Sequence, residues 1–423
     1  MSEVFKVKVE GIAGKGAGFA RIGGKSVFIE GSAAGETVCC RIAEDHGSWA
    51  RAELLEIVET SPDRVEPACA FYGVCGGCNL QHLSYETQVA AKIVILKDNF
   101  ARIGGFNPPE PEVIPSPPWE YRNRMQFHRI DPNRTARVRP AQHRLSTSEG
   151  TEHYATFGLK ARKSEDIVPV ADCPIADPGI RSLLQQTASQ QTALGEAAFP
   201  LPLEKDRFTV YARDGLLLSE GGKQRGRIRL LEKEIALDAG VFFQSNGLML
   251  EKLIEDLREI AAGADRGRAF ADLYCGVGTF AAFLGDLFPK TDLVEENKSA
   301  LALARENIKG TETEFFALRD DDWAKLQERR RGVTGGSTAG SGKAAHYGFI
   351  VADPPRQGLS APLARWLAAE GPPLLAYVSC DPATLARDSK ILTLGGYELA
   401  ALKLYDFYPQ TAHIESLAVF NKN

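Results

Sequence analysis

No apolar run in these 423 residues approaches the ~20 needed to cross a bilayer. The opening, MSEVFKVKVE, lacks the basic, apolar and small-residue regions of a signal peptide. Both absences predict a cytoplasmic protein with no membrane partner. Strong net charge is missing too. The balance of 50 basic and 55 acidic residues is −5, which by itself argues neither for nor against nucleic acid. Disulfides are scarce in a reducing compartment, so the 8 cysteines read as ligands, catalysts or packing groups. Nothing in the composition implies an obligate protein partner.

What is present is a clear division of the chain. Residues 1–62 run as short strands punctuated by glycine (VFKVKVEGI, GAGFARIGGKSVFIEG), which suggests a small OB-like β-barrel. Residues 63–235 hold CAFYGVCGGCNLQH, a helical stretch, a proline-rich link and mixed strands, a mixed α+β central region. From 236 to 423 strands alternate with helices, the pattern of a doubly wound, Rossmann-like α/β domain. The Gly/Ser/Thr-rich stretch Gly332–Gly342 has nothing to pack and reads as a surface loop.

Charge is uneven locally. Seven arginines (122, 124, 129, 134, 137, 139 and 144) lie close together with one acid, Asp131, and Phe127 falls among them. Arginine forks match phosphate oxygens and aromatic rings stack on unpaired bases, so this is either an RNA-binding patch or a solvated basic face.

Four stretches carry chemistry. In DLYCGVGTF, 272–280, a strand feeds a glycine loop and a helix, and Glu295 follows at the end of the next strand. That arrangement fits a nucleoside-bearing cofactor, either a dinucleotide or S-adenosylmethionine. In VADPPRQGL, 351–359, Asp353 stands at a strand end where such folds bind ligands. LLAYVSCDPATLARD, 374–388, sets Cys380 between a buried strand and a helix capped by Asp381. The helix N-terminus favours an anion there, so Cys380 is either an accessible thiolate or a packed thiol. Finally Cys69, Cys75 and Cys78, spaced C-x5-C-x2-C, point to a metal, and Cys173 is the candidate fourth ligand. Four thiolates suit zinc or an iron–sulfur cluster.

Together these stretches resemble the RNA 5-methyluridine (uracil-5) methyltransferases. FFQSN, DLYCGVGTF, DPPRQGL, SCDPATLARD and HIESLAVF match that family's catalytic motifs in order. The first 62 residues look like its TRAM domain, and the four cysteines resemble the [4Fe-4S] site of its 23S ribosomal RNA branch. The resemblance implies methylation of the 5-carbon of a uridine in RNA by S-adenosylmethionine, with ribosomal RNA favoured over tRNA. It implies that Cys380 is the nucleophile at the uracil 6-carbon and Glu415 the base. It implies cofactor or uracil contacts for Gln244, Tyr274, Glu295 and Asp353. Thr279 and Ala317 depart from residues common in the family at cofactor positions, and 335–342 reads as an insertion. Two other readings are a radical S-adenosylmethionine enzyme and a non-catalytic RNA-binding or chaperone protein. Zinc is the alternative to the cluster.

Overall fold

The computed structural model describes residues 3–130, 157–189, 205–333 and 347–422. The first six strands are β1 to β6: Val4–Lys8, Gly11–Ile12, Gly18–Ile22, Lys25–Ile29, Thr37–Asp45 and Trp49–Glu59. Helix α1 is Tyr85–Asn99, and β7 is Glu112–Ile114. Then come β8 (Arg124–Arg129), β9 (Phe157–Lys160), β10 (Ile167–Val168), α2 (Pro178–Ser189), β11 (Arg207–Arg213) and β12 (Leu216–Ser219). A hairpin follows, β13 (Arg225–Leu230) with β14 (Lys233–Asp238), and then α3 (Gly247–Ala262). The remaining elements alternate: β15 (Ala269–Leu273), α4 (Thr279–Leu284), β16 (Thr291–Val294), α5 (Lys298–Asn307), β17 (Thr313–Phe316), α6 (Asp320–Val333), β18 (Tyr347–Ala352), α7 (Ala361–Glu370), β19 (Leu374–Ser379), α8 (Pro382–Leu394), β20 (Tyr397–Tyr405) and β21 (Glu415–Lys422).

The chain forms two compact units. The first takes residues 1–95, 117–223 and 408–413. Its N-terminal sheet has the order β1-β5-β6-β4-β3-β2. Alternation along these strands buries one face, including Val27, Ile29, Val38 and Cys40. Its second sheet, β10-β9-β8-β11-β12, packs Met125, Phe127, Phe157 and Phe208 into a core with α2.

The second unit takes 96–116, 224–407 and 414–423. It holds an eight-stranded sheet of order β17-β16-β15-β18-β19-β21-β20-β7. β15 through β19 pair in parallel, while β21 runs antiparallel to both β19 and β20. The parallel strands are apolar along their whole length (all six residues of β18 are buried) because helices cover both faces of such a sheet. The strand order reverses between β15 and β18, and ligands of open α/β sheets bind outside the carboxyl ends at such a point. Among the described residues no helix is long and apolar enough to cross a membrane. The proposed loop Gly332–Gly342 lies outside the described residues except for its first two positions, which close α6.

Candidate active site

Four sheet strands converge on one edge. β15 ends with Leu273 opposite Ala352 of β18, and β18 ends with Ala352 opposite Tyr377 of β19. β19 ends with Ser379 opposite Ser416 of β21. Tyr274, Asp353 and Cys380 therefore leave three neighbouring carboxyl ends. Glu415 opens the antiparallel strand beside Cys380. Glu295 follows β16, whose Val294 pairs with Leu273. Gln244 reaches the same edge, where its Nε2 donates to Asp353 Oδ2 at 3.4 Å. All six residues singled out for catalysis or cofactor contact meet here.

The glycine loop needs its glycines. Gly278 has φ +78°, and a Cβ there would lie 3.0 Å from the Cβ of Ala304. The Gly276 N–H donates to Glu295 Oε2 at 3.0 Å, and Glu295 Oε1 accepts from Asn297 N at 2.7 Å. Tyr274 takes a left-handed φ of +63°, and its hydroxyl donates to Asp320 Oδ2 at 2.7 Å. The same oxygen accepts from Ser360 N at 2.9 Å. Asp320 was not foreseen. In RDDDW it reads as one of three acids opening α6, and only the fold brings it to Tyr274.

Cys380 is a thiol at rest in these surroundings. Its thiol is pushed up to about 12, by burial first and then by the charges of Glu415 and Asp353, with Arg356 opposing them. The helix offers little compensation, because Asp381 Oδ1 already accepts from Ala383 N and Thr384 N, each at 3.0 Å. Glu415 is 3% exposed, and its carboxyl is raised well above the usual range, by burial and then by Asp353. Asp353 rises to about 7 through burial, partly offset by the Gln244 hydrogen bond. Burial thus disfavours the charged forms of Cys380, Glu415 and Asp353.

The four cysteines line one cavity of about 430 Å³ together with Arg122 and Gln81. Cys173 is pushed up to about 12 by burial and by the neighbouring Cys78, Cys75 and Cys69. Burial also raises the other three thiols. Among the described residues no group of three or more His, Cys, Asp or Glu is spaced to hold a metal ion. The fold gathers the predicted ligands into one cavity, but not at single-ion spacing.

The RNA-patch reading needs a correction. Phe127 is fully buried and stacks edge-on with Phe157, at 5.1 Å between centroids, so it offers no face to a base. The alternation in RMQFHR sends Met125 and Phe127 inward and leaves Gln126 exposed between them. Arg134, Arg137, Arg139 and Arg144 lie outside the described residues.

The family described as tRNA (Uracil-5-)-methyltransferase matches residues 227–423, and the TRAM domain matches 2–55. An "Uncharacterized RNA methyltransferase" of Treponema denticola is 31% identical over 95% of this chain and 94% of the relative. The Pseudomonas putida protein "23S rRNA (uracil(1939)-C(5))-methyltransferase RlmD" is 29% identical over 98% of this chain and 93% of the relative. The Pyrococcus abyssi tRNA (uracil-54, C5)-methyltransferase superposes with a TM-score of 0.68 at 22% identity, over 98% of this chain and 100% of that one, and so shares the fold. With two end-to-end relatives, the family's catalytic region and its TRAM domain, this chain belongs to the RNA uracil-5-methyltransferase family.

Proposed function

We propose that the protein methylates the 5-carbon of one uridine in 23S ribosomal RNA. The observation that carries this reading is that Cys380 and Glu415 both adjoin the last β19–β21 pair, Ser379 with Ser416, at the sheet edge that also holds Asp353 and Gln244. Once its thiol proton has left to solvent, the Cys380 sulfur adds to the uracil 6-carbon, which turns the ring into an enolate nucleophilic at the 5-carbon. Tyr274, the Gly276–Gly278 loop and Glu295 would hold S-adenosylmethionine, which would supply the electrophilic methyl group and leave as S-adenosylhomocysteine. Glu415, in its ionised form, then takes the proton from the methylated 5-carbon, and the ring expels the Cys380 thiolate. Gln244 Oε1 is buried without a hydrogen-bond partner among the described residues and suits the imide N–H of the ring. Burial raises Asp353 toward neutrality, and in its protonated form it can donate to a ring oxygen. The uridine has to leave its stack to reach this edge.

The four cysteines, Cys69, Cys75, Cys78 and Cys173, are read as ligands of a [4Fe-4S] cluster. Their common cavity supports that reading, and zinc is the alternative. Such a cluster would cross-link Cys173 to the 69–78 segment, and the methyl transfer proposed above needs no electron from it. The division at 62/63 and 235/236 and a cytoplasmic location belong to the same proposal.

The test is methylation of separate 23S ribosomal RNA and tRNA substrates with labelled donor, followed by mapping of 5-methyluridine. One methylated uridine in 23S ribosomal RNA is expected. Methylation of tRNA alone overturns the choice of RNA, and no methylation of either overturns the activity.

A further inference from the structure

The loop 353–360 carries Arg356, the one cation that acts on both Cys380 and Glu415 among the charges affecting them. The loop leans on α8 through a buried carboxylate and the arginine beside it. Asp388 is 0% exposed, and its Oδ2 accepts from Leu359 N at 2.8 Å and from the Tyr377 hydroxyl at 2.8 Å. Arg387 Nε donates to Asp388 Oδ1 at 2.8 Å, and its Nη2 donates to the carbonyls of Gln357, at 2.9 Å, and Leu359, at 3.3 Å. The approach is close enough to require glycine. A Cβ on Gly358 would stand 2.5 Å from Asp388 Oδ2 and 2.6 Å from Arg387 Nη2. Tyr377 lies on β19, three residues before Cys380, so the strand of the nucleophile, the helix after it and the loop of the cation all meet at Asp388.

We propose that Asp388 is a positioning residue for the methyl transfer, latching the 353–360 loop so that Arg356 sets its charge beside Cys380 and Glu415. This rests on the nucleophile and base assigned above. The latch explains why a buried acid sits in LARD on a helix where packing alone would favour an apolar side chain. Arg356 is exposed, and the latch fixes the stretch of backbone that carries it.

The test uses the full chain and two alkylating reagents of nearly equal size, anionic iodoacetate and neutral iodoacetamide, with modification of Cys380 read by peptide mass spectrometry. The ratio of their rates reports the positive charge near the sulfur, independent of access. Arg356→Gln should lower the ratio about threefold, the scale of one unit charge at a partly exposed site. Asp388→Asn should lower it in the same direction, and the double variant no further than Arg356→Gln alone. Tyr377→Phe, which keeps the carboxylate and removes one donor, should lower it by less and covers the case in which Asp388→Asn does not fold. An unchanged ratio in Arg356→Gln, in folded Asp388→Asn, or in Tyr377→Phe when that is the only folded variant, overturns the latch. So does additivity in the double variant. No turnover is involved, so the result stands apart from the assignment of the nucleophile, which fails if Cys380→Ala still transfers methyl groups.

Discussion

Cys380 rests as a thiol, because burial and two carboxyl neighbours outweigh the helix behind it. Alkylation of Cys380 by iodoacetamide should therefore rise about tenfold per pH unit from pH 7 to 10, since only the thiolate reacts. A plateau near pH 8 would contradict the raised thiol. Cys380→Ala should keep RNA binding, read by gel shift, and lose at least 10³-fold in methyl transfer, the scale of a lost nucleophile. Glu415→Gln separates the second step from the first. It should accumulate a covalent protein–RNA adduct on a denaturing gel, and normal turnover without adduct would count against the base. Cys380 was legible because a capped helix follows an apolar strand, a local pattern. Its protonation was not, because Asp353 and Glu415 are distant in sequence.

At the level of elements, period-two alternation is the most informative signal and also the one that corrects Phe127. RMQFHR states which side chains of β8 face the core, so the inward course of Phe127 was readable before the fold was known. His82 illustrates a contact that no pattern announces. Its Nδ1 accepts from the Tyr72 hydroxyl at 2.6 Å and its Nε2–H donates to Ser32 O at 3.2 Å, which joins the cysteine segment to the N-terminal sheet's loops. Burial depresses its imidazole to about 4. Above pH 6.5 the ring is neutral folded or unfolded, and this contribution is complete. Between 6.5 and 4 the unfolded chain binds a proton that the folded chain refuses, so stability falls as pH falls, by at most about 3 kcal/mol. Urea unfolding at pH 7 and 5 should show this loss in the native protein and a smaller one in His82→Gln. The Asp388 latch gives another element-level expectation. Gly358→Ala combines a φ of +73° with a 2.5 Å approach and should destabilise by about 2 kcal/mol or more, seen as a lower Tm.

For the whole molecule, the cysteine cavity is the feature that joins distant chain segments. Cys173 comes about a hundred residues after Cys78, and closing so long a loop costs several kcal/mol that metal–thiolate bonds can offset. Anaerobically purified protein should contain iron and sulfide and be brown. Cys173→Ala should lose both and weaken RNA binding while S-adenosylmethionine binding, measured by calorimetry, survives. Colourless protein with one zinc per chain would replace the cluster by zinc.

The sequence by itself determined the chemical groups and their local settings. Glycine loop, capped helix, alternating strands and cysteine spacing all follow from interactions within a few residues, and the ordered motifs were enough to indicate the family. Tertiary structure alone decided which ends meet. HIESLAVF reads as a final strand with a lone acid, yet nothing within it says that it inserts between β19 and β20 and sets Glu415 beside Cys380. Nor does YPQTAH announce that it belongs with the first unit, where Gln410 exchanges hydrogen bonds with Gln88 while the strands on either side belong to the second. The reason is that a strand's side-chain period fixes which face is buried, whereas its partner is selected by non-local packing and hydrogen bonding. The protonation of Cys380, Asp353 and Glu415 follows from that same encounter, since burial and mutual charge exist only once the strands have paired.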